Sequence, residues 1–156
     1  MVKQFLYSVT TKLDQSQVWE LLTDIENWTR TSLVYQQLAW EGEPWVCGSS
    51  IVGTILYPTK LHFRYVLREF QPPTLIRYLA HGKQAGFASE RVIELETISR
   101  GTLIKVSAFV VGEPVFSISG GSLGFLKMLT ERWFQDFATL CDGRVAAKPV
   151  ATDHSP

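Results

Sequence analysis

An arginine in the middle of a predicted strand is the residue of this chain with the clearest binding chemistry. Along residues 89–96, three glutamates fall on one face and Arg91 on the other, so acids that face water would direct Arg91 into the protein. A buried guanidinium must be paired or hydrogen-bonded, and we interpret Arg91 as the group that receives a carboxylate or enolate oxygen of a ligand. Alternatives stay open: a β-bulge could reverse the parity, or Glu69 or the hydroxyls of Tyr65 and Tyr78 could satisfy the guanidinium.

Residues with catalytic chemistry are otherwise few. Tyr57, Tyr65 and Tyr78 could act as general acids toward a carbonyl oxygen or only orient a ligand. His81 could be an acid or base at the mouth of a cavity, or lie in an exposed turn. None of the three histidines has a ligand-like neighbour at a fixed spacing, and the sequence has no nucleophile elbow and no HExxH motif. We therefore predict no metal and no cofactor, and leave catalytic residues and enzymatic activity open.

The composition is that of one globular domain. Apolar residues make up 46% and charged residues 19% of the 156 residues, and 15 acids balance 15 bases. Such a balance disfavours nucleic acid or an anionic membrane surface as a partner. The sequence has no run near the roughly 18 apolar residues of a membrane span, and no apolar core of a signal peptide. We predict a cytoplasmic protein that is a monomer or a weak dimer.

The two cysteines, Cys47 and Cys141, lie far apart in the sequence without a C-x-x-C partner. A disulfide framework or a cysteine-based zinc site is therefore not expected. We interpret both residues as small buried apolar side chains.

Residues 122–145 predict a long helix with one wide apolar face. Leu126, Leu129, Trp133 and Phe137 recur along it at spacings of three and four. Burying one side chain of the Leu or Phe class is worth roughly 1.5–3 kcal/mol, so this face needs a large apolar partner. The rest of the chain supplies mostly strands, and the partner is therefore a sheet.

Two short helices follow the first predicted strand. Residues 4–10 alternate as a half-buried strand, Asp14 then caps a helix, and residues 24–30 form a second one. Helices segregated from consecutive strands indicate an α+β fold, and residues 147–156 indicate a disordered tail. The remaining strands are predicted at residues 35–41, 50–57, 61–70, 75–81, 87–98 and 102–111.

Five short patterns in this order resemble one known superfamily. They are VWELLTD at 18–24 followed by Trp28, GS at 48–49, FQPP at 70–73, GT at 101–102, and the amphipathic final helix. They cover nearly the whole chain, which resembles the START-like helix-grip superfamily, also called SRPBCC, including its birch-pollen-allergen type and its polyketide cyclases and dehydratases. The resemblance implies a seven-stranded antiparallel sheet wrapped around the C-terminal helix with an apolar cavity between them. It implies one START-like ligand-binding domain over residues 1–146.

Strand parity and the apolar helix face select the side chains that would line such a cavity. The set is strongly aromatic, which suits a flat or multi-ring apolar ligand, although the same rings could simply fill the core. The predicted ligand-binding residues are Trp28, Trp40, Tyr57, Phe63, Tyr65, Tyr78, Arg91, Ile93, Val106, Phe125, Leu129 and Trp133.

Three functions are compatible with these residues, because one fold can support many chemistries. The first, which we predict, is binding of a hydrophobic small molecule, such as a lipid, a polyketide or an aromatic metabolite. The second is an enzyme of the polyketide cyclase or dehydratase kind. The third is an interaction module similar in fold to the activators of a chaperone ATPase.

Overall fold

A computed structural model of the chain describes residues 2–82, 87–112 and 121–153. The strands in these residues form one antiparallel sheet of seven, in the order β1-β7-β6-β5-β4-β3-β2, and two short helices follow the first strand. The predicted α+β helix-grip architecture is confirmed. In chain order the elements are β1 (Val2–Thr11), α1 (Gln15–Leu22), α2 (Ile25–Thr31), β2 (Tyr35–Glu41), β3 (Ser50–Ile55), β4 (Leu61–Gln71), β5 (Leu75–Gly82), β6 (Phe87–Ile98), β7 (Gly101–Gly112) and α3 (Gly121–Asp153).

Aspartate caps begin both short helices. Asp14 Oδ1 accepts a hydrogen bond from the backbone N–H of Gln17 at 3.0 Å, and Asp24 Oδ1 accepts one from the N–H of Glu26 at 3.0 Å. Each cap satisfies an N–H group that the first turn of a helix leaves without a partner. The second cap separates α1 from α2 and turns Trp28 inward, where its Nε1 donates to the Leu22 carbonyl at 2.9 Å.

The core lies between the inner face of the sheet and α3, which packs on β1 and β7. The predicted apolar face of the helix is buried, since Leu126, Leu129, Trp133 and Phe137 are each at most 1% exposed. Hydrogen bonds attach α3 at two further points. Thr11 Oγ1 donates to Asp142 Oδ1 at 2.6 Å, and Ser32 Oγ donates to Asp136 Oδ2 at 2.5 Å.

One β-bulge changes which residues of β2 face the core. Tyr35 is opposite Ile55 and Trp40 is opposite Ile51, with a register shift between Gln36 and Ala39. The two isoleucines are four residues apart and share a face, so Tyr35 and Trp40 share a face although they are five residues apart. In a regular strand these two aromatic side chains would point in opposite directions.

A second bulge lies in β4. Leu67 is opposite Tyr78 and Phe70 is opposite Ile76, with a register shift between Leu67 and Glu69. Leu67 and Phe70 therefore lie on the same face although they are three positions apart. The bulge therefore places Phe70 on the inner face of β4.

Two expectations differ from the structure. Cys47 is exposed, so its predicted burial is wrong, whereas Cys141 is buried on α3. Cys47 lies in the β2–β3 connection, where Gly42 and Gly48 take positive φ angles of 98° and 97° and the chain runs over the surface. The helix α3 also continues through residues 147–153, where the sequence predicts a disordered tail.

Three further observations concern His154, membrane crossing and potential metal ligands. Residues 154–156, which include His154, lie outside the described residues. None of the helices in the described part of the chain combines the length and the apolar character that a membrane crossing requires. Likewise, no group of three or more potential metal ligands occurs among the described residues.

Candidate functional site

Arg91 lies at the centre of the inner face of the sheet. It is on β6, directly between Tyr78 of β5 and Ala108 of β7, and it is 2% exposed. Its neighbours along the strand that face the other way, Glu90 and Glu94, are only half-buried. No bulge interrupts β6, so the parity argument places Arg91 correctly.

The guanidinium of Arg91 rests on two tyrosine rings. Its Nη2 donates a hydrogen bond to Tyr65 Oη at 2.9 Å. Its Cζ lies 4.7 Å from the ring centroid of Tyr65 and 5.2 Å from that of Tyr78. The two rings are stacked with centroids 4.5 Å apart. Ring faces attract a cation, so the two tyrosines stabilise the charge without neutralising it.

Two nitrogens of Arg91 have no hydrogen-bond partner within the described residues. Both Nε and Nη1 are buried and unpaired. Glu69, the carboxylate that could have satisfied them, pairs with Arg77 instead, and its Oε1 accepts from Arg77 Nε at 3.1 Å. The tyrosine alternative therefore accounts for one nitrogen of three. A buried, charged donor with free N–H groups is suited to an anionic oxygen.

Tyr35 extends this polar cluster toward β2. Its Oη lies 3.0 Å from Tyr65 Oη, and its ring contacts those of Trp28, Phe63 and Trp133 at centroid distances of 5.3–5.5 Å. Tyr35 was not among the predicted site residues. One signal for Tyr35 was available in the sequence. It is the first residue of a predicted strand, and tyrosines occur on the neighbouring strands.

The cluster has a definite protonation state. Burial raises the pKa of Tyr35 well above its ordinary value and raises the pKa of Tyr78 as well, so both hydroxyls are neutral near pH 7. Burial lowers the pKa of Arg91 and its hydrogen bond to Tyr65 raises it, with a net upward shift, so the guanidinium stays charged. The cluster can therefore offer a positive charge and neutral hydroxyl donors, but no base.

Two more buried polar atoms lie on the elements that enclose the core. Ser89 Oγ on β6 and Thr130 Oγ1 on α3 are buried and have no partner in the described part of the chain. Their residues are 2% and 0% exposed. Together with Arg91 they provide hydrogen-bonding groups on both walls of the core, which is unusual for a purely structural interior.

Most of the predicted ligand-binding residues meet in one place. Phe63, Tyr65 and Tyr78 form one aromatic cluster beside Arg91, and Tyr35 connects it to Trp28 and Trp133, with centroids of successive rings 4.2–6.2 Å apart. Packing at these distances means that the rings also form the core, as the alternative interpretation held. Four further predicted residues are buried in the same core, namely Ile93, Val106, Phe125 and Leu129.

Two predicted site residues lie apart from Arg91's aromatic cluster. Tyr57 follows the end of β3, is half-buried, and has the guanidinium of Arg132 5.5 Å from its ring centroid. Trp40 belongs to a second aromatic cluster, in which its ring meets that of Trp45 at 4.8 Å and Trp45 stacks on Phe70 at 5.2 Å.

A groove of about 840 Å³ opens between α2 and β2. Tyr35 forms part of its wall, and so does Trp45, which is fixed there by a hydrogen bond from its Nε1 to the Thr23 carbonyl at 2.6 Å. Its volume lies within the range of pockets that bind drug-sized molecules. The other apolar side chains that line it are Ile25, Leu33, Leu38, Trp40, Pro44 and Leu56.

The sheet, the gripped helix and the two short helices define the helix-grip fold that the resemblance to the START-like superfamily implies. The structure of Ara h 8.0201 matches with a TM-score of 0.74 and 14% identity, over 90% of this chain and 98% of that one. An uncharacterised protein from Rhizobium leguminosarum gives 0.74 and 12% over 91% and 95% of the two chains. The Mll3558 protein from Rhizobium loti gives 0.72 and 14% over 89% and 96%.

No protein-family model matches the sequence, and no curated protein matches it significantly. At 12–14% identity the structural matches establish the fold alone.

Proposed function

We propose that the protein binds a hydrophobic small molecule that carries an acidic oxygen, with Arg91 receiving that oxygen between the sheet and α3. The observation that carries this proposal is a fully buried arginine that has two unpaired nitrogens and no carboxylate partner within the described residues. Leaving a charge in that condition is costly, and a ligand anion would offset the cost.

The surroundings of Arg91 favour an apolar ligand body. Phe63, Tyr65 and Tyr78 of the sheet and Trp133 of α3 present ring faces and edges in the core. Aromatic groups of this kind give large contact area and preferred stacking geometry to a flat ring. An apolar carboxylic acid or an enolised carbonyl compound satisfies both requirements at once.

The proposal is tested by comparing an acid with a neutral ligand of the same shape. Naphthoic acid and its methyl amide are titrated into the protein, into Arg91→Gln and into the control Arg64→Gln, whose side chain is on the outer face of β4 and pairs with Glu41. A lost charge-assisted hydrogen bond is worth about 1.5–3 kcal/mol, so Arg91→Gln should weaken acid binding by roughly 10–100-fold. The amide affinity and the Arg64→Gln affinities should stay unchanged.

Copurification of a ligand with the protein is an independent test. Native mass spectrometry of the purified protein should detect a bound apolar acid that Arg91→Gln loses. Equal binding of acid and amide, or an acid affinity that does not depend on Arg91, would contradict the proposal.

A further inference from the structure

We propose that the groove between α2 and β2 is a second subsite, which holds the hydrocarbon tail of an amphipathic acid whose head lies at Arg91. This inference rests on the proposed function and assigns the ligand class more narrowly, to acids with a long apolar chain. The contacts of Tyr35, the charges around the groove and the exposure of its rim support it independently.

Tyr35 lies between the groove and the polar cluster of Arg91. It forms part of the groove wall and is itself only 2% exposed. Its hydroxyl lies 3.0 Å from that of Tyr65, which in turn accepts the hydrogen bond from Arg91. One side chain therefore separates the groove from the first hydrogen-bond partner of the buried cation. A ligand that displaces the Tyr35 ring would reach from the groove to Arg91.

The charges at the groove and at Arg91 determine which end of such a ligand binds at each place. Asp24 and Glu26 are the charged residues that line the groove, and both are acidic. Arg30, the base on α2, lies 3.7 Å from Glu26 in an exposed ion pair. The groove therefore repels a carboxylate head, whereas buried Arg91 attracts one. An acid that binds both at Arg91 and in the groove must therefore place its tail in the groove.

The rim of the groove exposes apolar surface that a tail would cover. Leu33 is 72% exposed and Leu56 is 37% exposed, and both line the groove. The half-buried rings of Trp40 and Trp45 form its inner wall. Covering such side chains with hydrocarbon removes apolar area from water, which favours a chain over a small polar group.

Leu33→Asp tests the subsite with little risk to folding, because the side chain is already exposed. The matched control is Leu6→Asp, since Leu6 is 79% exposed on the outer side of β1 and is absent from the groove lining. Each variant is titrated with parinaric acid, a long-chain fluorescent acid, and with naphthoic acid, which has no tail. Leu33→Asp should weaken parinaric acid binding by about tenfold and leave naphthoic acid within about twofold. Leu6→Asp should change neither affinity.

The outcomes separate this inference from the proposed function. If Leu33→Asp and Leu6→Asp bind parinaric acid equally well, the tail subsite is wrong, while dependence of both acids on Arg91 would leave the proposed function intact. If neither acid depends on Arg91, the proposed function is wrong and the two-part site is overturned with it.

The role of Tyr35 has its own readout. Tyr35→Phe keeps the ring and removes only the hydrogen bond to Tyr65. A bond of this kind contributes about 1 kcal/mol, so the association rate of parinaric acid should rise by about fivefold. An unchanged rate in stopped-flow fluorescence would show that the ring of Tyr35 does not stand in the path of the chain.

Discussion

Arg91 and Tyr65 contact each other in two ways. The guanidinium donates from Nη2 to the phenolic oxygen at 2.9 Å, and its Cζ lies 4.7 Å from the centroid of the same ring. Both contacts stabilise the positive charge, and neither removes it. The interior of this protein thus holds a cation that tyrosines position and that no carboxylate of the described residues neutralises.

Replacing Arg91 by methionine should stabilise the fold. Arg91→Met removes a buried charge with two unpaired nitrogens and keeps a long side chain, while Tyr65 retains its bond to Tyr35. We expect the free energy of unfolding in urea to rise by about 1–3 kcal/mol, together with loss of acid binding. The control Arg64→Met on the outer face should change stability by at most about 1 kcal/mol. A destabilised Arg91→Met variant would mean that the cation is structural.

The buried tyrosines should make the protein less stable at alkaline pH. Burial holds the pKa of Tyr35 and Tyr78 above the ordinary value of about 10. Above pH 10 the unfolded chain releases these protons while the folded protein keeps them, so stability that is fully present below pH 10 is lost as pH rises. The expected slope is about 1.4 kcal/mol per pH unit for each tyrosine.

Urea unfolding from pH 8 to 11 measures this slope. Tyr78→Phe should reduce this slope by the contribution of one tyrosine, about 1.4 kcal/mol per pH unit. A slope that is the same in wild type and Tyr78→Phe would show that Tyr78 ionises in the folded protein as it does in the unfolded chain.

Two glycines should respond to alanine in opposite directions. Gly101 has a φ of 124°, and a Cβ there would lie 1.9 Å from the Thr11 carbonyl oxygen, so Gly101→Ala should cost at least about 2 kcal/mol of unfolding free energy. Gly143 lies on α3 with nothing within 4 Å of an added Cβ, so Gly143→Ala should gain about 0.5–1 kcal/mol. Chemical denaturation of both variants checks the pair. A tolerated Gly101→Ala would show that the β6–β7 turn can shift away from β1.

The two thiols should react at very different rates. Cys47 is exposed, whereas burial, and then the charge of Asp142, raises the pKa of Cys141 to about 12. The native protein should therefore react quickly with one equivalent of a disulfide reagent at pH 8 and with two in denaturant. Cys47→Ser should remove the fast reaction. Two fast thiols in the native state would indicate that the C-terminal part of α3 detaches readily.

The bounds of the strands were largely predictable from their residues, whereas the bulges within β2 and β4 were not. Residues 35–41 and 87–98 have the predicted bounds, because alternation and turn residues mark them clearly. On the unbroken β6 the parity also placed Arg91 inside. Glu69 pairs with Arg77, and not with Arg91, because the bulge in β4 sets Glu69 directly opposite Arg77. Cross-strand pairing of this kind is a property of register, which the local sequence does not specify.

The location of the aromatic residues shows the same limit. The apolar stripe of α3 correctly predicted Trp133 and Leu129 as buried, because helical periodicity needs no partner to be recognised. Tyr35 belongs to the polar cluster through contacts with another strand, β4, and with the two helices α2 and α3, which its local sequence does not specify. Tyr57 was expected in β3, but that strand ends at Ile55.

The extra residue of β2 also affects how this chain must be aligned with distant homologues. An alignment that runs through residues 35–41 without a gap, against a homologue whose strand is regular, pairs Trp40 with a side chain of the opposite face. Every column beyond Gln37 would then compare solvent positions with wall positions. A single indel placed at Gln37 or Leu38 restores the correspondence, so searches for homologues of the Trp40 and Trp45 pair should allow a gap there.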